Sequence, residues 1–169
     1  VSGHTDVVVG TQMVAKGLHV PDVTLVCAVL ADIGLNVPDL RAAERTFQVL
    51  CQVAGRAGRG LNRGRVILQT YRPQHYAIQA AALQDYKAFH EMELVYRRRL
   101  GAPPFGKMIH LVHTSLSNTF SEREAIRLAS VLRHQIVTWG LTDIAVVGPA
   151  PGHPERVRGR YRWHIVLRG

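Results

Sequence analysis

Gln52-Val53-Ala54-Gly55-Arg56-Ala57-Gly58-Arg59 sets two arginines three residues apart, each following a glycine, at the end of an amphipathic segment that reads as a helix. A guanidinium stays charged and presents a planar fork matched to phosphate oxygens, and a glycine before it lets backbone approach a ligand. Arginines so placed suit the stabilisation of charge on a transferring γ-phosphoryl group, the arginine-finger role. A basic surface loop at a helix end is the plainer alternative. A second segment tips the balance: Gly10-Thr11-Gln12-Met13-Val14-Ala15-Lys16-Gly17 directly follows Asp6-Val7-Val8-Val9. The valine run predicts a buried strand over 6–9, and the carboxyl end of a strand is where α/β sheets place ligands. Thr11 offers a hydroxyl and a backbone N–H to a phosphate, and Gly17 allows close backbone approach.

The elements that must position these groups are readable in outline. Strands are predicted over 6–9, 23–30 and 65–70. A helix over 39–54 puts Leu40, Ala43, Phe47, Leu50 and Val53 on one apolar stripe, with Pro38 as its start signal. A further helix over 84–100 carries Tyr86, Phe89, Leu94 and Val95 and ends in Arg97-Arg98-Arg99. That triplet either complements the helix dipole or contacts a nucleic-acid backbone. Gly101-Ala102-Pro103-Pro104 marks a module boundary, giving domains over 1–100 and 101–169, because consecutive prolines stop a helix. Beyond it come a strand over 108–115, a helix over 121–139 with Ser121 and Glu124 as a capping box, and strands over 144–147 and 161–168. In the last strand Tyr161, Trp163, Ile165 and Leu167 face one way. Arg158, Arg160, Arg162, His164 and Arg168 face the other, the pattern of a sheet buried on one side. Those arginines either follow a phosphate backbone or form a solvated outer face.

Charge divides the chain at about the same place. Residues 1–96 hold nine Lys and Arg against eight Asp and Glu, whereas residues 97–169 hold twelve against four. The second part therefore carries +8 of the formal +9, and nucleic acid is its expected partner. At 169 residues and 47% hydrophobic content the chain is long enough for one or two small cores. No apolar stretch approaches a membrane span, and the amino terminus lacks a signal peptide's regions, so a cytoplasmic protein without membrane contact is expected. Cys27 and Cys51 read as ordinary buried thiols. No metal site is expected: His110 and His113, for example, fall on opposite faces of one strand.

Together and in this order, residues 10–17 and 52–59 resemble motifs V and VI of superfamily 2 helicases. The flanking residues narrow the resemblance to the bacterial replication-restart helicases, the primosomal protein N′ (PriA) family. It is carried by Gly10 to Val26, by Ala31-Asp32-Ile33-Gly34 through Arg45, and by Gly64-Arg65-Val66-Ile67-Leu68-Gln69-Thr70. The Arg97-Arg98-Arg99 to Pro103-Pro104-Phe105 join and Arg158-Gly159-Arg160-Tyr161-Arg162-Trp163 extend it to essentially the whole chain. A phosphate loop and an Asp-Glu pair for Mg²⁺ are absent from the sequence, as is the family's cysteine-rich zinc module. The expectation is a carboxyl-terminal fragment that starts after those parts and stops before the family's last helix.

The resemblance implies an α/β fold: part of the second RecA-like helicase lobe, followed by a small α+β DNA-binding domain. It implies an ATP-dependent 3′–5′ DNA helicase that recognises stalled forks and assembles the primosome. ATP and Mg²⁺ would be bound mainly by the missing lobe, with zinc in the missing module and none here. Arg56 and Arg59 would act on the γ-phosphate, with Gln52 linking hydrolysis to lobe closure. Gly17, Gly55 and Gly58 would approach the nucleotide. Thr11 would contact the DNA backbone, and Arg158, Arg160 and Arg162 would bind DNA from the second domain. Forked or single-stranded DNA, primosome proteins and single-strand-binding protein are the implied partners, in a bacterial, nucleoid-associated setting. The alternatives are another superfamily 2 motor, such as a branch-migration helicase, and a non-catalytic nucleic-acid-binding adaptor.

Overall fold

The structure, a computed structural model, describes residues 6–11, 23–58 and 64–169, which form two compact units divided between Glu93 and Leu94. In the first unit β1 (Leu25–Ala28) and β2 (Arg65–Leu68) pair in parallel, with Leu25 opposite Arg65 and Ala28 opposite Leu68. A 3₁₀ turn (Ile33–Asn36) leads to helix α1 (Ala42–Ala54), then α2 (Tyr76–Leu83) and α3 (Tyr86–Arg99). The core gathers Phe47 and Leu50 of α1, Ala77, Ile78 and Ala81 of α2, and Phe89 of α3. Phe47 lies flat on Phe89 with ring centroids 4.3 Å apart. Glu93 is buried but not bare, because the Tyr76 hydroxyl donates to its carboxylate at 2.6 Å.

Several expectations need correction. Residues 6–9 form no strand, and Val7, Val8 and Val9 are exposed. A β-branched run becomes a strand only where a neighbour completes its ladder, and among the described residues β1 pairs with β2 alone. Cys27 is likewise exposed rather than buried, on the face of β1 away from the helices, and Cys51 is half-buried. Burial raises the Cys51 thiol above its ordinary value. Helix α1 begins at Ala42 rather than at 39, because the Asp39 carboxylate accepts from the Arg41 N–H at 2.8 Å and makes a turn there. Helix α2 was not expected at all. Its sequence, Tyr-Ala-Ile-Gln-Ala-Ala-Ala-Leu, is apolar nearly all round and shows no polar stripe.

The loop after β1 has a packing reason for its Ala31-Asp32-Ile33-Gly34 sequence. Asp32 is buried and accepts from the Tyr71 N–H at 3.3 Å, tying this loop to the one after β2. A Cβ on Gly34 would stand 2.5 Å from the Thr46 hydroxyl, so α1 approaches here only over glycine.

The second unit takes over within α3, from Leu94. Gly101 adopts φ +57, its N–H bonds Arg98 O, and the Ala102 N–H bonds Arg97 O at 2.8 Å. This is a Schellman stop, so glycine ends the helix before the prolines do. Strand β3 (Met108–Ser115), helix α4 (Asn118–Thr138), β4 (Ala145–Val157) and β5 (Arg160–Arg168) follow, with β5 central in an antiparallel sheet ordered β3-β5-β4. Helix α4 starts earlier than expected. Ser117 is its cap, its hydroxyl accepting from the Phe120 N–H, and Ser121 is fully buried inside the helix against His113. Strand β4 is far longer than the expected 144–147 and contains Pro149, Pro151 and Pro154. An edge strand tolerates residues that cannot donate to a ladder, and β4 has two register shifts.

One sheet face is closed. Ala125 and Ala129, four apart on α4 and both fully buried, let the helix come close enough to cover Ile165, Trp163, Leu111 and Val146. Truncating a buried isoleucine such as Ile165 typically costs about 2–5 kcal/mol. Among the described residues of the second unit no helix covers the other face, and that face carries the candidate site.

Candidate functional site

The Gly/Arg segment leaves α1 as a short turn. Gly55 caps the helix with φ −66, so its value is space rather than handedness: a Cβ there would lie 3.3 Å from Cys51 O. Gly58 is the position that needs glycine, at φ +73, and its N–H bonds Val23 O at 3.0 Å just before β1. A Cβ on Gly64 would sit 2.2 Å from Gly58 N, so the start of β2 also packs on this turn through glycine. Arg56 is thereby held half-buried between a helix end and a pinned glycine, while Gln52 is exposed on the last helical turn. Thr11 is exposed. Arg59 and Gly17 lie outside the described residues, as do Gln12, Lys16 and His19.

In the second unit the arginine pattern holds with one correction. Trp163 and Ile165 face α4, and the register places Arg162, His164, Val166 and Arg168 on the opposite face, opposite Thr114, Val112, His110 and Met108 of β3. Arg158 is not part of that alternation. It occupies the hairpin turn with φ +50, next to Gly159 at φ +79, while Val157 pairs with Arg160. Two successive positive φ values are what a two-residue hairpin requires. Arg160 is exposed and Arg162 half-buried. The Arg97-Arg98-Arg99 triplet is partly committed to the unit's own structure. Arg97 donates to Pro103 O at 3.3 Å, and the Arg98 guanidinium lies 4.5 Å from the Phe105 ring centroid. Arg168, similarly, donates to Leu100 O.

Between the arginines the face carries a pair of histidines, a juxtaposition that the sequence reading missed. His110 Nε2 and His164 Nδ1 lie 2.7 Å apart, sharing one hydrogen bond between β3 and β5. Period-two alternation had put His164 on this face, but antiparallel register alone brings His110 beside it. The period-two rule did separate His110 from His113, which lies on the covered face against Ser121. Burial lowers the His164 pKa, and His110 and Arg162 lower it further. Such a group binds a proton more readily unfolded than folded. Its contribution is complete above the ordinary histidine value of 6.5 and is lost as pH falls below it. The urea midpoint of the chain is therefore expected to drop from pH 7 towards pH 5, and His164→Gln to flatten that drop. A fall as steep in His164→Gln as in the wild type would exclude His164. His75, whose pKa is also lowered chiefly by burial, acts in the same direction in the first unit.

Among the described residues no helix is long and apolar enough to cross a membrane. Residues 98–169 match the family model for the primosomal protein N C-terminal domain. Over nearly its whole length the chain is also similar to three curated relatives, each named replication restart protein PriA. The Bacillus subtilis protein is 39% identical over 98% of this chain and 20% of its own length. The Synechocystis protein is 43% identical over 98% and 20%, and that of Treponema pallidum 42% over 99% and 25%. The chain thus spans a fifth to a quarter of the length of these relatives.

Proposed function

We infer, from the premise that residues 98–169 belong to the primosomal protein N C-terminal domain family, that the chain supplies two parts of a replication-restart DNA helicase. One is the end of its second RecA-like lobe, with the arginine segment. The other is a module that holds DNA. The observation that carries the DNA role is the second unit's sheet, closed on one face by α4 and bearing Arg160, Arg162 and Arg168 on the other. Phosphate contacts from such a face position a protein on DNA without reading sequence. The whole protein would be an ATP-dependent 3′–5′ helicase acting at stalled forks and assembling the primosome, with single-strand-binding protein among its partners. Arg56, Arg59 and Gln52 would serve ATP hydrolysis. Gly17, Gly55 and Gly58 would lie near the nucleotide, and Thr11 on the DNA backbone. ATP and Mg²⁺ would be held mainly by a phosphate loop and acidic ligand on another lobe.

The test separates the two parts. The 169-residue chain is expected to bind forked DNA with strong salt dependence and to show no DNA-stimulated ATP hydrolysis, since its sequence has no phosphate loop. DNA-stimulated ATP turnover by the purified chain, free of contaminating motors, would overturn the division of labour. Salt-independent binding would overturn the arginine-face reading.

A further inference from the structure

The open sheet face carries arginines at its ends and histidines and valines in its middle. By register, Val112 lies opposite His164, His110 opposite Val166, and Val147 of β4 also opposite Val166, so these side chains share the centre of one face. Val112 is 42% exposed and Val147 52%, and His110 is exposed. Arg160 and Arg162 lie towards one end of β5 and Arg168 at the other.

The surroundings of His164 oppose a charge on its ring. A neutral pair holds one proton in the His110–His164 bridge and one on an outer nitrogen. A charged pair that keeps the bridge holds protons on both outer nitrogens, and one of these is His164 Nε2. That atom is buried without a hydrogen-bond partner, under a backbone turn so close that a Cβ on Gly152 would lie 2.7 Å from it. Charging the pair thus buries an unpartnered N–H or breaks the bridge. The charged group facing His164 from its own strand is Arg162, which opposes a second positive charge. The only titratable group facing it from β3 is His110, and β4 presents Gly152.

We propose that the His110 ring, with Val112 beside it, is a stacking platform for an unpaired nucleobase, and that the flanking arginines take the phosphates on either side. The proposal rests on the reading of this sheet as a DNA-binding face, and it names what that face selects. The hydrogen bond to His164 fixes the ring at the sheet surface, so little rotamer freedom is lost on stacking. From Arg162 to Arg168 the strand runs about 20 Å, room for a short single strand to lie along it. Base stacking on an aromatic ring is tolerant of sequence, and it is denied to a duplex, whose base faces are already stacked.

The experiment compares three labelled probes by fluorescence anisotropy with the full chain: a short thymidine oligonucleotide, its abasic counterpart with the same number of phosphates, and a duplex of equal length. The thymidine strand is expected to bind about 5-fold or more tightly than the abasic strand. His110→Ala should remove most of that gap, and His110→Phe, which keeps a ring, should retain it. Equal affinity of the wild-type chain for both single strands overturns the proposal while leaving the DNA-binding face intact. So does a salt slope that falls by about 0.7 in His110→Ala, the mark of a lost phosphate contact on a single strand. If no probe binds, or if Arg160→Ala with Arg162→Ala changes none of the affinities, the DNA-binding face itself fails and the platform with it.

Discussion

In the intact motor that the proposed function implies, Arg56→Ala is expected to lower DNA-stimulated ATP turnover by about 10³-fold or more and leave DNA affinity nearly unchanged. The reasoning runs from the turn. Gly58 at φ +73 donates to Val23 O, and the start of β2 closes on it through Gly64, so the backbone after α1 has little freedom. Arg56 is therefore presented in a fixed position. A guanidinium held in place before the reaction stabilises developing phosphoryl charge without reorganising at that moment. Arg59→Ala is expected to behave in the same way, on the strength of its spacing alone. Arg56→Lys is informative as well, because an ammonium keeps the charge and loses the fork, so it should recover only part of the rate. Steady-state turnover at saturating forked DNA is the measurement, with anisotropy as the control for binding. Normal turnover in both alanine variants would make the pair a structural feature of the turn.

The second large effect concerns salt. Replacing Arg158, Arg160 and Arg162 together by alanine should flatten the dependence of log affinity on log salt by up to about three phosphate contacts, each near 0.9 on duplex DNA. The structure divides this loss. Arg158 stands at the hairpin tip, Arg160 is exposed beside it, and Arg162 is half-buried against the Gly152 turn. The first two are free to follow a backbone, so most of the change is expected in Arg158→Ala with Arg160→Ala. The fold should survive, because Trp163 and Ile165 face α4 and are untouched. Forked-DNA anisotropy across a salt series, with circular dichroism as a control, gives the slope. An unchanged slope in a well-folded triple variant would leave this face solvated and move the search to Arg99, beyond the self-engaged Arg97 and Arg98.

Sequence determined what depends on local chemistry. The paired Gly-Arg steps, the period-two alternation from Arg160 to Arg168, the apolar stripe of α1 and the concentration of positive charge after residue 96 were all legible. Each is set by neighbours along the chain. The similarity to replication restart proteins, which runs along nearly the whole of this chain and a fifth of theirs, is of the same kind. Tertiary structure decided what depends on partners far along the chain. The valines at 7–9 have strand propensity but no ladder among the described residues, and β4 continues through three prolines because it is an edge. Ser121 has a capping spacing, yet Ser117 takes the cap and Ser121 is buried under His113. Arg158 has the parity of a strand residue and lies in the turn, because closing a two-residue hairpin demands positive φ. His110 and His164 are 54 residues apart and meet at 2.7 Å. Antiparallel register alone puts them side by side, and the backbone at Gly152 closes over His164 Nε2, which together with Arg162 opposes a charge on that ring.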